Sequence, residues 1–419
     1  MEEILKYWKI YLKGGLIVVI CGFAAIFIFN SFLFYNTKYS GSGNIFGVLE
    51  KGAGQKSKYK NQEPFKDKKN KSRSRDLSGI DLSAVDLKDK AAILLNSDFN
   101  IFTKWPKELP KSFVPSKIFK MGKNPGLGIK KFHKKNINGK GVSIAIIDQR
   151  IFTGHSGYKE RLKLYEEIHY SKLHNLLGRG GHGEAMVSIA AGNVSGVAPK
   201  SDIYYIATDP GTMSIFSSSW YVYDFNWLAK AIRRILSINK VLSSNEKIKI
   251  IVFSFAWPDV SVKGYDELLK ALDEAEKEGI FISSPLSLKL YGYRLSALDR
   301  AFLKNPDSFG SYAPSIWFDY FSAGSKDIKT IYVPSNSRTV ASFTGKDDYH
   351  FFSRGRYSFA LAYVAGIYAL AYQEDSSMTP KKFLKAAFET AEILTIQKKD
   401  KKYKVRVINP NKIIKTNKK

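Results

Sequence analysis

"GKGVSIAIIDQR", residues 139–150, is the segment on which the architecture turns. A Gly-Lys-Gly turn leads into a run of β-branched and small apolar residues. The run is too short for a helix and lacks polar alternation, so it reads as a strand buried on both faces. Strands of that kind belong to parallel sheets covered by helices on either side. This one ends on a carboxylate, Asp148. The carboxyl edge of such a sheet is where sites form. A buried acid there needs a partner, although Asp148 alone also reads as a turn or helix cap.

The flanking sequence has the matching alternation. "HGEAMVSIAAGN" (182–193) reads as a helix closed by Gly-Asn, with His182 at its head. "SDIYYIAT" (201–208) and "KIKIIVFSFA" (247–256) read as buried strands, separated by the helical period of "DFNWLAKAIRRILSINKVL" (224–242). "GYDELLKALDEAEKEG" (264–279) is an amphipathic helix that stops at Gly279, before the strand "IFIS". Alternating strands and helices predict an α/β fold in three layers, a mostly parallel sheet between helices. "GRYSFALAYVAGIYALAYQ" (355–373) predicts a long apolar helix with Ser358 at its mouth. Ser358 there is either a helix cap or a nucleophile whose reaction the helix N-terminus can stabilise. His182 is likewise either structural or a base.

The chain has 419 residues, 66 Lys+Arg against 38 Asp+Glu, and a formal charge of +28. That excess suits anionic surroundings without choosing among them. No groove-reading motif accompanies it, which argues against specific nucleic-acid binding. The single cysteine, Cys21, excludes an intrachain disulfide, so stability comes from packing. Residues 1–14 are a short N-terminal segment. Residues 15–35 contain "LIVVICGFAAIFIFNSFLFY", long enough to span a bilayer as one helix. Lys6, Lys9 and Lys13 before it, against Lys38 and Lys51 after it, tilt the orientation toward an inside N-terminus. The expectation is a single-pass cell-membrane protein with its main domain on the extracytoplasmic side. Residues 36–104 read as a basic flexible linker and lead-in, suited to anionic lipid or cell-wall polymer; residues 105–419 read as the folded domain. Inside the lead-in, "DLSGIDLSAVDL" (76–87) has a five-residue rhythm too short for a solenoid, and it is discounted.

Asp148, His182 and Ser358 occur in the chain order of a subtilisin-type triad, and the G-x-S-x-G elbow of α/β-hydrolases is absent. Over roughly residues 110–416 the chain resembles the subtilases, the subtilisin-like serine peptidases. "GKGVSIAIIDQR" is similar to the family's acid-bearing strand, "HGEAMVSIAAG" to its histidine helix, and "YSFALAYVAG" to its nucleophile helix. "GVAPKSDIYYI" and the closing "YKVRVINPNKII" match two further family segments. The resemblance implies a subtilisin-like fold and a serine endopeptidase with Asp148, His182 and Ser358 as triad and a protein or peptide as substrate. It places Ser254, Phe255 and Ala256 along the substrate cleft, with Arg356 and Tyr357 crowding one end. It implies no cofactor; calcium sites of the family leave no trace in sequence spacing. The sequence departs from the family at Arg150, at Arg356-Tyr357 and at Ala362, where Gly, Gly-Thr and Pro are usual. It also lacks the oxyanion Asn after "IFIS". Ser284 or Ser287 is the expected substitute donor. The alternative is a catalytically impaired homologue acting as a peptide-binding or regulatory scaffold.

Overall fold

The computed structural model describes residues 34–37, 75–171, 181–213, 221–255, 259–315, 328–355, 357–398 and 400–414. Its central sheet has the strand order Phe34–Thr37, Leu162–Ser171, Asp202–Thr208, Ser143–Asp148, Ile248–Phe253, Phe281–Ser283. The last five run parallel, and the first pairs antiparallel at the edge. The Asp148 strand is central, paired on one side with Asp202–Thr208 and on the other with Ile248–Phe253.

Strand periodicity divides this sheet between two cores. Ile144, Ile146, Ile250 and Val252 face a core shared with the helices His182–Ala191 and Tyr357–Glu374. Ala145, Ile147, Ile251 and Phe253 face the opposite core, under the helices Asn226–Val241 and Tyr265–Lys277. That double burial is why the strand sequences show no polar alternation, and each large apolar side chain so buried stabilises the fold by about 1.5–3 kcal/mol. The expected α/β layering is therefore present. Beside the central sheet, Tyr293–Arg300 and Lys329–Pro334 pair in parallel within a second, five-stranded sheet.

Two expectations for the N-terminal part change. The anchor expected at 15–35 lies outside the described residues except for Phe34 and Tyr35. These two open the edge strand Phe34–Thr37 rather than close a helix. The unpaired edge of Leu162–Ser171 offers a free row of backbone groups, and an aromatic-rich extended segment satisfies it. Among the described residues no helix is long and apolar enough to cross a membrane.

The second change concerns the lead-in, which is folded from Arg75 onward. Leu77, Leu82 and Leu87, spaced by five, are all fully buried in a separate core with Phe99, Phe113 and Phe351. Before each leucine an aspartate closes a turn. Asp76, Asp81 and Asp86 accept backbone N–H bonds from Ser78, Ser83 and Lys88 at 2.9, 3.1 and 3.1 Å. Three such turns need no solenoid, because the hairpin Arg338–Ala341/Tyr349–Phe352 supplies the apolar floor. The strand Ser97–Asn100 extends that hairpin into a four-stranded sheet with Arg75–Asp76.

Candidate active site

Parallel strands share a direction, so Asp148, Ser254 and Ser283 all arrive at one edge. Asp148 ends its strand fully buried. Its Oδ1 lies 2.7 Å from Nδ1 of His182 and also accepts the Gln149 backbone N–H at 2.7 Å. The imidazole thus donates Nδ1–H to the carboxylate, which directs Nε2 away from Asp148. The His182 side chain is 12% exposed.

The glycine after His182 has a steric cause. A Cβ at Gly183 would sit 2.4 Å from Oη of Tyr205 and 2.7 Å from the Gln149 carbonyl oxygen. Only a glycine lets the helix start come down onto the end of the Asp148 strand. Tyr205 donates its hydroxyl to that same Gln149 carbonyl. Burial, then the carboxylates of Asp148 and Glu184, push the Tyr205 phenol well up, so it stays a neutral donor. Glu184 Oε1 accepts the Phe152 N–H at 2.8 Å and ties the loop after Asp148 to the His182 helix. Glu184 and Tyr205 were not anticipated; the carboxylate beside the histidine in "HGE" was the available signal.

Ser358 is the second residue of the helix Tyr357–Glu374, inside its first turn rather than at the capping position. That helix lies against His182–Ala191 at two levels. Near the start, the Phe359 ring is 6.5 Å from the His182 ring. Farther along, a Cβ at Gly366 would meet Val197 Cβ at 2.5 Å and the Ala190 carbonyl oxygen at 3.0 Å. Gly366 is eight residues beyond Ser358 (366 − 358), and Ala190 eight beyond His182 (190 − 182). Both offsets are about 12 Å of helix. The two helices therefore run side by side in the same direction, with His182 and Ser358 at matching heights.

The end of the neighbouring strand Phe281–Ser283 is built differently. Ser284 is the N-cap of the helix Pro285–Leu290: its Oγ accepts the Ser287 N–H at 3.1 Å and donates to Ser287 Oγ at 3.0 Å. Both residues are buried. The Ser284 hydroxyl is thus committed to the cap, since a proline at the first helical position leaves it to satisfy the Ser287 N–H; Ser287 Oγ only accepts in this pair, so its own O–H is not spent on it. One residue earlier, Ser283 donates to the Leu361 carbonyl at 2.9 Å and joins this strand end to the Ser358 helix.

The expected cleft residues also divide. Ser254 follows its strand at the sheet edge, half-buried. The Phe255 ring packs, partly buried, against the core under Asn226–Val241 and Tyr265–Lys277; Ala256 lies outside the described residues. Arg356 also lies outside them. Tyr357 turns inward onto the larger core, where burial pushes its phenol up to about 12 against the opposing effect of a Leu295 backbone hydrogen bond. Its aromatic body favours burial over crowding an open cleft. Arg150, where a glycine was usual, is a buried ion-pair partner of Glu167 and lies over the Tyr170 ring at 4.4 Å. Among the described residues no group of three His, Cys, Asp or Glu is placed to hold a metal ion.

Residues 139–285 match the model of the Subtilase family, peptidase S8. No curated protein matches the chain significantly. Among solved structures, the subtilase cytotoxin SubAB assembly is 15% identical with a TM-score of 0.47, covering 69% of this chain and 93% of that one. The A-subunit of the AB5 toxin from E. coli is 16% identical with a TM-score of 0.47, over 69% and 96%. A cold adapted subtilisin-like serine proteinase is 15% identical with a TM-score of 0.43, over 64% and 89%.

Proposed function

Taking residues 139–285 as a subtilase-family segment, we propose that the chain is a serine endopeptidase using Asp148, His182 and Ser358. The observation that carries this reading is the 2.7 Å bond from buried Asp148 to His182, set level with the first turn of the Ser358 helix. In the proposed cycle, His182 Nε2 takes the Ser358 proton as Oγ attacks the peptide carbonyl. Asp148 holds the tautomer and stabilises the imidazolium. The imidazolium then protonates the leaving amine, and water, activated by the same Nε2, hydrolyses the acyl-enzyme. The Ser358 backbone N–H and the positive end of its helix meet the oxyanion. A site lacking a side-chain donor would turn over about a hundred- to a thousandfold more slowly than a complete one.

Residues 15–33 would anchor this peptidase in a membrane, with its domain on the extracytoplasmic side and the basic linker against anionic lipid or wall polymer. A fluorophosphonate probe tests the core of the proposal. It is expected to label wild type at Ser358 and to leave Ser358→Ala unlabelled. Folded wild type that takes no label rejects peptidase chemistry. The second reading, a peptide-binding scaffold without turnover, is favoured by one observation: the Ser284 hydroxyl is donated within a helix cap. It requires peptide binding that survives Ser358→Ala.

A further inference from the structure

The Ser358 helix is reached from the strand Tyr349–Phe352 through Ser353, Arg354 and Gly355, and the lead-in grips this approach. Asp98 Oδ1 accepts two hydrogen bonds from Ser353, one from its backbone N–H and one from its hydroxyl, both at 2.7 Å. Asp98 is 8% exposed and Ser353 2%. Next to them, Arg354 Nη2 donates to Asn96 Oδ1 at 3.0 Å. Strand pairing sets His350 opposite Asn100 and Phe351 opposite Phe99. From the other side the backbone leaves no slack: a Cβ at Gly355 would lie 2.3 Å from the Ser335 carbonyl carbon. The grip also reaches the imidazole through packed rings. Phe352 stands edge-on to Phe359 at 5.7 Å, and Phe359 lies 6.5 Å from His182.

A segment that only covered surface would not need a carboxylate at this buried point, where desolvation is costly. Two short charge-assisted bonds to one oxygen offset that cost and hold a single turn in a single geometry. We propose that Asp98 is a positioning residue: by clamping Ser353 it sets the height and rotation of the first turn of the Ser358 helix relative to His182. The proposal rests on the reading of Ser358 as nucleophile. It makes the lead-in a working part of the site, acting through Ser353 rather than by touching substrate.

The test compares full-length Asp98→Ala, Asp98→Asn and Ser353→Ala with wild type. One readout is amide hydrogen exchange across residues 349–362; the other is kcat and KM on a peptide substrate, with fluorophosphonate labelling rate. In Asp98→Ala, exchange of the 353–358 amides should rise roughly tenfold to a hundredfold, and kcat should fall by a similar factor. KM should stay within about twofold, since uniform binding is untouched. Asp98→Asn keeps an acceptor of the same shape and should recover most of both. Ser353→Ala keeps the N–H bond, should fall between, and carries the test if Asp98→Ala does not fold. Unchanged exchange in Asp98→Ala overturns the proposal, as does raised exchange with unaltered kcat and labelling. Wild type that neither hydrolyses nor labels removes the peptidase reading, while raised exchange in Asp98→Ala still upholds the clamp, so the two failures are told apart.

Discussion

The Asp148–His182 side of the candidate site and its Ser284–Ser287 side are built to different standards. On the first, Asp148, Gln149, Gly183, Glu184 and Tyr205 interlock, and a glycine occupies the one position where a methyl group would force the helix off the strand. On the second, Ser284 spends its hydroxyl on the cap of a short helix, accepting the Ser287 N–H and donating to Ser287 Oγ. Holding a base in one tautomer takes a buried network. Receiving an oxyanion takes a donor left free until substrate arrives, and the Ser284 hydroxyl, already donated within its cap, is the opposite of that.

Asp148→Asn puts the largest load on the first side. The fold should survive, because the amide replaces the carboxylate atom for atom, yet kcat should drop about ten-thousandfold as the imidazole loses its tautomer control. A loss below tenfold, with normal folding, would mean that His182 is not the base. Gly183→Ala should cost roughly 1–3 kcal/mol of stability by overpacking, measured by urea denaturation, with a fall in activity as His182 is displaced. Ser284→Ala acts on the second side and should cost about 0.5–2 kcal/mol through loss of the cap, with kcat nearly unchanged. Ser287→Ala should alter kcat by less than about threefold. A drop of a hundred- to a thousandfold would instead identify its hydroxyl as an oxyanion donor and erase the asymmetry.

The smallest expected effect concerns pH, away from the site. Burial lowers the pKa of His133, His155 and His169 below their ordinary 6.5. The unfolded chain then binds more protons than the folded one below about that pH, so stability is complete above it and lost as pH falls through 6.5 toward the folded-state values. His155 is the clearest case: its Nε2–H donates to the Asp348 carbonyl at 2.7 Å and its Nδ1 accepts the Gly157 N–H at 2.9 Å, leaving no room for a second proton. Thermal melts between pH 7.5 and 5 should show Tm falling with acid, less steeply in His155→Gln.

Local order was legible in the residues. Apolar runs on Ser143–Asp148 and Ile248–Phe253 specify strands buried on both faces. Gly183 and Gly366 mark close approaches, though the sequence did not say to what. Phe255, from the family resemblance, and Tyr357, from its place beside Ser358, were expected at the cleft; both pack partly buried against the cores, a direction that depends on which core competes for the side chain. The Leu77, Leu82 and Leu87 rhythm was visible, but its floor is the hairpin ending at Phe352, more than 250 residues away in the chain.

Periodicity, turn residues and the order of three reactive side chains thus belong to the sequence, because each depends on near neighbours or on residue type alone. The pairing of Asp148 with His182, the level of Ser358 beside them and the grip of Asp98 on Ser353 belong to the tertiary structure. Each is a distance between groups far apart in the chain, and only packing, which weighs every buried surface at once, sets such distances.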